Sequence, residues 1–202
     1  MEKRKIGVYG GTFSPPHAGH VSAAESFARA ITPDKLIIMP DFLPPHKEFD
    51  GKVSAQDRLK MCELAFSHIE NVEVSDLEIK RGGKSYTAVT LEALSEPDTE
   101  LYFLCGTDMF LTLGEWYAPE RIFKSATICV IRRESDPEND SRIDTLISCY
   151  EEKFSAKVLK IPGRIVEISS SEVREAVRSS KNIEKYLPKK VSDYIVDKGF
   201  YK

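Results

Sequence analysis

Short apolar runs alternate with longer stretches of helical period along this chain. Ile6-Gly7-Val8-Tyr9 has the length of a buried strand and runs into Gly10-Gly11, after which a helical segment extends from about Gly19 to Ile31. Leu36-Ile37-Ile38-Met39 forms a second strand, closed by Pro40, and Asp41 to Gly51 is a loop rich in proline and charge. Ser54 starts a helix. Asp57 three residues on resembles a capping box, and Leu59, Cys62, Phe66 and Ile69 repeat near helical period. Val72–Val74 is a candidate strand, Arg81 to Ser85 a turn or loop, and Tyr86 to Leu94 a helix. Leu101–Cys105 is the clearest buried strand, ended by Gly106, and Ala126–Ile131 is another. Arg132 to Ser141 is polar, a helix from about Arg142 to Phe154 follows, and Val158–Ile161 is a strand. Two helices close the chain, one carrying Val173, Ala176 and Val177, the other Val191, Tyr194 and Ile195. Strand and helix alternate throughout. This predicts a single α/β domain over 1–202, a Rossmann-like doubly wound parallel sheet with helices on both faces. Ligands in such folds bind beyond the carboxyl ends of the strands, so the loops after Tyr9, Met39, Cys105 and Ile131 are the ones to inspect.

Composition narrows the functional classes. The 202 residues are 41% hydrophobic and 30% charged, with a net charge of −3, which excludes a mainly disordered chain. The pI near 5.9 argues against a duplex-binding surface, so no nucleic-acid partner is expected, although a local anion pocket remains open. No apolar run reaches bilayer length and no signal peptide is legible, so no membrane association and a cytoplasmic location are expected. Cys62, Cys105, Cys129 and Cys149 are far apart, form no CxxC pair and lie in apolar-patterned segments, which predicts buried reduced thiols and no zinc site.

The loop after the first strand carries the chemistry: Gly10-Gly11-Thr12-Phe13-Ser14-Pro15-Pro16-His17-Ala18-Gly19-His20. Two glycines at a strand end allow a tight turn and close approach to a ligand. The helix behind them presents free N–H groups and a positive dipole end to an anion. His17 and His20, three apart, share a face of a first helical turn. Spacing alone leaves three readings of this pair: a structural cap, a metal-binding pair, or donors aimed at a phosphate. The spacing is neither that of a P-loop nor GxGxxG. Near the carboxyl end, Ile168-Ser169-Ser170-Ser171-Glu172-Val173-Arg174 supplies serines for a helix start and an arginine one turn on, a receptor for polyphosphate or a plain capped helix.

Gly10-Gly11-Thr12-Phe13 with His17-Ala18-Gly19-His20 resembles the GGTF…HxGH signature of the nucleotidyltransferase superfamily, and Ile168 to Arg174 is similar to its ISSTxIR motif. Within the superfamily the chain resembles the bacterial nicotinate-nucleotide adenylyltransferase family over most of its length. Pro44-Pro45-His46-Lys47 is similar to that family's P-x-H-K loop, and Gly82 to Thr87 with Thr90-Leu91 to its GG-x-SYT-x-x-TL stretch. Gly106-Thr107-Asp108, Leu113 and Trp116-Tyr117 are similar to its G-x-D…L…W stretch, and Arg132-Arg133 lies where the family has an arginine after a strand.

The resemblance implies transfer of the adenylyl group of ATP to nicotinate mononucleotide, giving nicotinate adenine dinucleotide and pyrophosphate, with Mg²⁺ accompanying the triphosphate and no metal bound by the protein itself. It implies His17, His20, Lys47 and Arg174 as catalytic. Gly10, Gly11, Thr12, Phe13, Gly19, Gly106, Asp108, Arg133, Ile168, Ser169, Ser170 and Ser171 would bind ATP. His46, Ser85, Tyr86, Thr87, Trp116 and Tyr117 would bind the pyridine nucleotide, with Trp116 stacking on the pyridine ring unless it is a core residue. Asp108 would accept from a ribose hydroxyl or cap its helix, or both. The partners implied are these small molecules, with a homo-oligomer open.

Ser14 and Val89 depart from the family's pattern, which commonly has Asp at both. The rivals are a superfamily member acting on nicotinamide mononucleotide, phosphopantetheine or a cytidylyl acceptor, a nucleotide-binding module without turnover, and a metal hydrolase using the two histidines. The adenylyltransferase reading requires His17 and His20 to lie within one nucleotide's length of Ser170 and Arg174.

Overall fold

A computed structural model of the chain describes residues 3–45, 52–132, 137–163 and 165–202. Six strands form one all-parallel sheet: β1 (Arg4–Gly11), β2 (Lys35–Pro40), β3 (Val72–Val74), β4 (Thr99–Gly106), β5 (Ala126–Ile131) and β6 (Val158–Ile161), in the order β3-β2-β1-β4-β5-β6. The order reverses between β1 and β4, so their carboxyl ends flank the crevice where such sheets hold ligands.

The strands read as continuous apolar runs because both faces are covered. Successive side chains point to opposite faces. Leu36 and Ile38 of β2, Leu104 of β4, and Cys129 and Ile131 of β5 enter one core. Ile37 and Met39, Leu101, Phe103 and Cys105, and Ile128 and Val130 enter the other. The first core is roofed by α1 (Ala18–Ile31), α2 (Ala55–Phe66), α8 (Ser170–Arg178) and α9 (Lys189–Lys198). The second is covered by α4 (Thr87–Leu94), α5 (Thr107–Thr112), α6 (Pro119–Ser125) and α7 (Pro137–Phe154). Gly7 lets α1 close on β1: a Cβ there would lie 3.0 Å from the Phe27 ring and 3.1 Å from Leu36.

The predicted class and strand positions agree with this architecture. Three details differ. Gly10 and Gly11 are not in a turn; they continue β1, in register with Met39 and Pro40 of β2. The turn falls on Phe13, whose φ of 47° is in the left-handed region. Helix α7 begins at Pro137, some five residues ahead of the start near Arg142 that the sequence predicts, within the polar stretch. The short helices α3 (Leu77–Arg81) and α6 and the 3₁₀ turn Leu113–Glu115 went unread, each being too short to show a period, whereas α5 is the helix expected after the strand Leu101–Cys105. Among the cysteines, Cys62, Cys105 and Cys129 are buried and Cys149 is exposed on α7. Burial raises the thiol pKa of all three buried ones, that of Cys129 to about 12, so they are inert core residues. No described helix is long and apolar enough to cross a membrane.

Candidate active site

The histidine pair is first a helix cap. His17 is extended, at φ −134° and ψ 175°, and stands at the N-cap of α1. Its Nδ1 accepts the His20 amide at 3.3 Å, and His20 Nδ1 accepts the His17 amide at 3.2 Å, a reciprocal box built from two imidazoles. The rings stack with centroids 3.7 Å apart. The cap has a chemical consequence. With both Nδ1 atoms accepting, the proton of each neutral ring is placed on Nε2, so each ring keeps one N–H donor. Phe13, 2% exposed, packs edge-on to His20 with centroids 5.0 Å apart and to Phe66 at 5.8 Å. Its side chain is therefore a wall behind His20. The structural-cap and phosphate-donor readings of the pair are compatible.

The carboxyl-terminal motif docks directly on this loop. Ser170 Oγ donates to the Pro15 carbonyl at 2.9 Å, and Arg174 Nη1 donates to the Ser14 carbonyl at 2.8 Å. Ser169 caps α8, its hydroxyl accepting the Glu172 amide while the Glu172 carboxylate accepts the Ser169 amide at 2.8 Å. The Ser169 hydroxyl, which donates to the same carboxylate at 2.7 Å, and the Ser169 amide hold the Glu172 carboxyl below the usual range. Ser171 Oγ accepts from Arg174 Nη2 at 2.9 Å, and Ile168 packs on the first core. The two motifs, some 150 residues apart, thus form one surface, and the distance requirement set by the sequence is met.

Gly19 explains why the histidine motif needs a glycine: a Cβ there would lie 2.6 Å from the Val166 carbonyl and 3.1 Å from the His17 ring. The segment leading into α8 crosses the first turn of α1 at that point, held by the Ser22 hydroxyl accepting the Val166 amide at 3.1 Å.

Across the crevice, the segment after β2 is fastened on two sides. Arg58, fully buried on α2, donates to the Thr12 carbonyl (2.7 Å), to Asp41 Oδ1 (3.0 Å), and to the carbonyls of Asp41 (2.7 Å) and Phe42 (3.1 Å). Thr12 Oγ1 donates to Asp41 Oδ2 at 2.7 Å. On the far side Ser85 Oγ accepts the Phe42 amide, and the Ser85 amide donates to the Leu43 carbonyl, both at 2.9 Å. Below Ser85 lies Glu78, 6% exposed and bonded by Thr90 Oγ1; burial pushes its carboxyl pKa up.

Gly106 is the N-cap of α5, and Asp108 stands exposed in its first turn. Trp116 is 9% exposed within the second core and donates Nε1–H to Thr112 Oγ1 at 3.2 Å. Tyr117 is 50% exposed, its ring 4.4 Å from that of Tyr86 and 5.9 Å from the Arg121 guanidinium. Thr87 begins α4 beside Tyr86. His46, Lys47 and Arg133 lie outside the described residues.

Two residues of this framework escaped the sequence reading. Arg58 occupies the buried face of α2 with Ala55, Met61, Cys62 and Phe66, a face that periodicity assigned to Leu59. The signal was present, since a charge on an apolar stripe at helical spacing is unusual. Tyr201, whose hydroxyl lies 3.2 Å from Ser14 Oγ, gave no signal, because nothing local marks a contact across 187 residues.

Residues 8–176 match the cytidylyltransferase-like family model. A protein of Desulfatibacillum aliphaticivorans named nicotinate-nucleotide adenylyltransferase is 34% identical, covering 98% of this chain and 99% of its own. One of Lachnoclostridium phytofermentans with the same name is 36% identical, with the same coverage. Among solved structures, Plasmodium falciparum nicotinic acid mononucleotide adenylyltransferase complexed with NaAD superposes with a TM-score of 0.75 at 19% identity, covering 98% of this chain and 97% of its own. Sequence likeness end to end and a shared sheet lead to one conclusion: the chain belongs to the nicotinate-nucleotide adenylyltransferase family of cytidylyltransferase-like proteins.

Proposed function

We propose that this protein joins ATP and nicotinate mononucleotide into nicotinate adenine dinucleotide, with release of pyrophosphate, as a step in NAD biosynthesis. The observation that carries the site assignment is the docking of the Ser170–Arg174 helix tip onto the loop that holds His17 and His20. One triphosphate can lie across both. A phosphate oxygen of the mononucleotide attacks the α-phosphorus, and the bond from that phosphorus to the bridging oxygen of the β-phosphate breaks. Pyrophosphate leaves with the electron pair, so no protein nucleophile is needed. The task is to hold attacking and leaving oxygens in line and to place donors where negative charge grows.

His17 and His20 donate Nε2–H toward the α-phosphate, and their Nδ1 bonds to the backbone fix the direction of those donors. The α8 tip and Arg174 face the departing pyrophosphate. Lys47, which follows β2 in sequence, adds positive charge, and Gly106, Asp108 and Arg133 serve the adenosine side. The groups proposed at the phosphates are imidazole, serine hydroxyl and guanidinium, with no carboxylate among them to bind a metal by itself, so Mg²⁺ would be brought by ATP and would offset the charge of its phosphates. Tyr86 and Tyr117 present aromatic surface to the pyridine ring, with Trp116 as the floor beneath them. Backbone donors near Thr87 and Tyr117 suit a carboxylate better than an amide, which would otherwise leave a donor facing a donor.

The test is pyrophosphate release from ATP across a panel of nicotinate and nicotinamide mononucleotides, phosphopantetheine and glycerol phosphate. Release with nicotinate mononucleotide, and formation of the dinucleotide, is the expected result. Turnover with another member alone, or none, refutes the proposal.

A further inference from the structure

We propose that Arg58 and Asp41 are a positioning pair that sets the spacing between the ATP-side and acceptor-side loops; this rests on the adenylyl-transfer reading above. The buried guanidinium sits between two neighbouring strand ends. Through four hydrogen bonds it grips the Thr12 carbonyl after β1 together with the carboxylate and two carbonyls of Asp41 and Phe42 after β2. Thr12 closes the ring by donating its hydroxyl to the same carboxylate. The gripped segment then passes the constraint outward. Phe42 and Leu43 are bonded on their far side to Ser85, and Leu43 bridges to Lys84, in the stretch assigned to the pyridine nucleotide. A shift at Arg58 would therefore change the distance between the loop that carries the histidines and the loop that carries the acceptor.

Stability alone does not account for the pair. Burying two charges gains little over apolar side chains of like volume, and the face of α2 around Arg58 is otherwise apolar. A rigid planar fork is what can bridge three carbonyls and a carboxylate at once, which an ammonium on a flexible stem cannot do. The pair also has an electrostatic use. It neutralises a carboxylate that is hydrogen-bonded to Thr12, just past β1, where a bare negative charge would repel the triphosphate.

Arg58→Lys keeps the charge and loses the fork; Asp41→Asn keeps the shape and loses the charge. The purified proteins are compared with wild type for melting temperature, for number of ATP sites and Kd by titration calorimetry, and for kcat and KM in dinucleotide synthesis. The expected result is close to one ATP site per chain, Kd within about fivefold, and kcat lowered about 10- to 100-fold, the effect of a displacement of about 1 Å between reacting groups. Each variant is judged by itself, so one that loses its fold leaves the other to decide. Two outcomes overturn the proposal: wild-type kcat in a folded variant, or a fall in rate matched by an equal fall in ATP sites, which would mark the pair as structural only. If the wild type itself forms no dinucleotide, the adenylyl-transfer reading falls, and this inference with it.

Discussion

The two walls of the crevice are built on different principles. On the wall proposed for ATP the principal polar groups are tied to backbone: the imidazoles cap α1, Ser169 caps α8, Ser170 and Arg174 bind the carbonyls of Pro15 and Ser14, and Arg58 binds that of Thr12. On the wall proposed for the acceptor, large apolar or aromatic groups stand exposed: Phe42, Leu43 and Tyr117, with Tyr86 leaning on the last. The first wall is preorganised by hydrogen bonds whose directions leave little freedom, as charge development at a phosphorus demands. The second presents surface to be covered by a ring, where stacking tolerates small adjustments. Changes on the first wall should therefore act on rate, and changes on the second on acceptor affinity.

The sharpest break of that contrast is His20→Ala. It removes an oriented donor and half of the reciprocal cap, and kcat should fall about 10²- to 10³-fold while some ATP binding persists; a variant that keeps its rate would end the donor assignment. Gly19→Ala comes next. Its new methyl meets a backbone carbonyl that cannot yield cheaply, so stability should drop by about 1–3 kcal/mol in a denaturant titration and activity with it. Tyr117→Ala probes the other wall. The KM for the mononucleotide should rise about tenfold, as expected for one lost stacking contact, with the KM for ATP and the melting temperature unchanged. Trp116→Ala differs because the ring is core, and a cost of about 3–5 kcal/mol in stability should accompany any change in KM.

The smallest effects concern pH. Glu78, its pKa raised by burial, holds its proton longer folded than unfolded, so its contribution to stability is full below the unfolded value near 4.3 and is lost as pH rises from there through the higher folded value. Glu78→Gln should therefore gain about 2–4 °C in melting temperature at pH 7, a gain that vanishes toward pH 4. Glu172 has the opposite sign. Its depressed pKa means that the α8 cap is at full strength above the unfolded value and weakens as the solution is acidified below it. The Glu172→Gln protein should show a flatter acid limb in the same scan.

What the sequence disclosed follows from which forces are local. β1, β2, β4 and β5 were legible because sheets covered on both faces write uninterrupted apolar runs. The histidine and serine–arginine motifs were legible because helix caps and anion sites are made by neighbours in the chain. Short helices such as α3 and α6 were not, since five to seven residues complete too few turns to display a period. The Arg58 clasp and the Tyr201 contact were hidden for another reason: they are agreements between loops that only the sheet order brings together. The exposure of Cys149 went unread because an apolar neighbourhood in sequence says nothing of which side of α7 faces water.

The crossing of Val166 over Gly19 bears on how the protein is made. The histidines are specified within the first twenty residues, but the helix tip that completes their surface arrives only after residue 170. A chain emerging from the ribosome carries the amino-terminal half of its catalytic surface long before the partner half exists. A truncation that ends ahead of the last β-strand would hold the histidine pair without the helix tip proposed to seat pyrophosphate, and on that proposal turnover would begin only when the tail has crossed α1 and been fastened there.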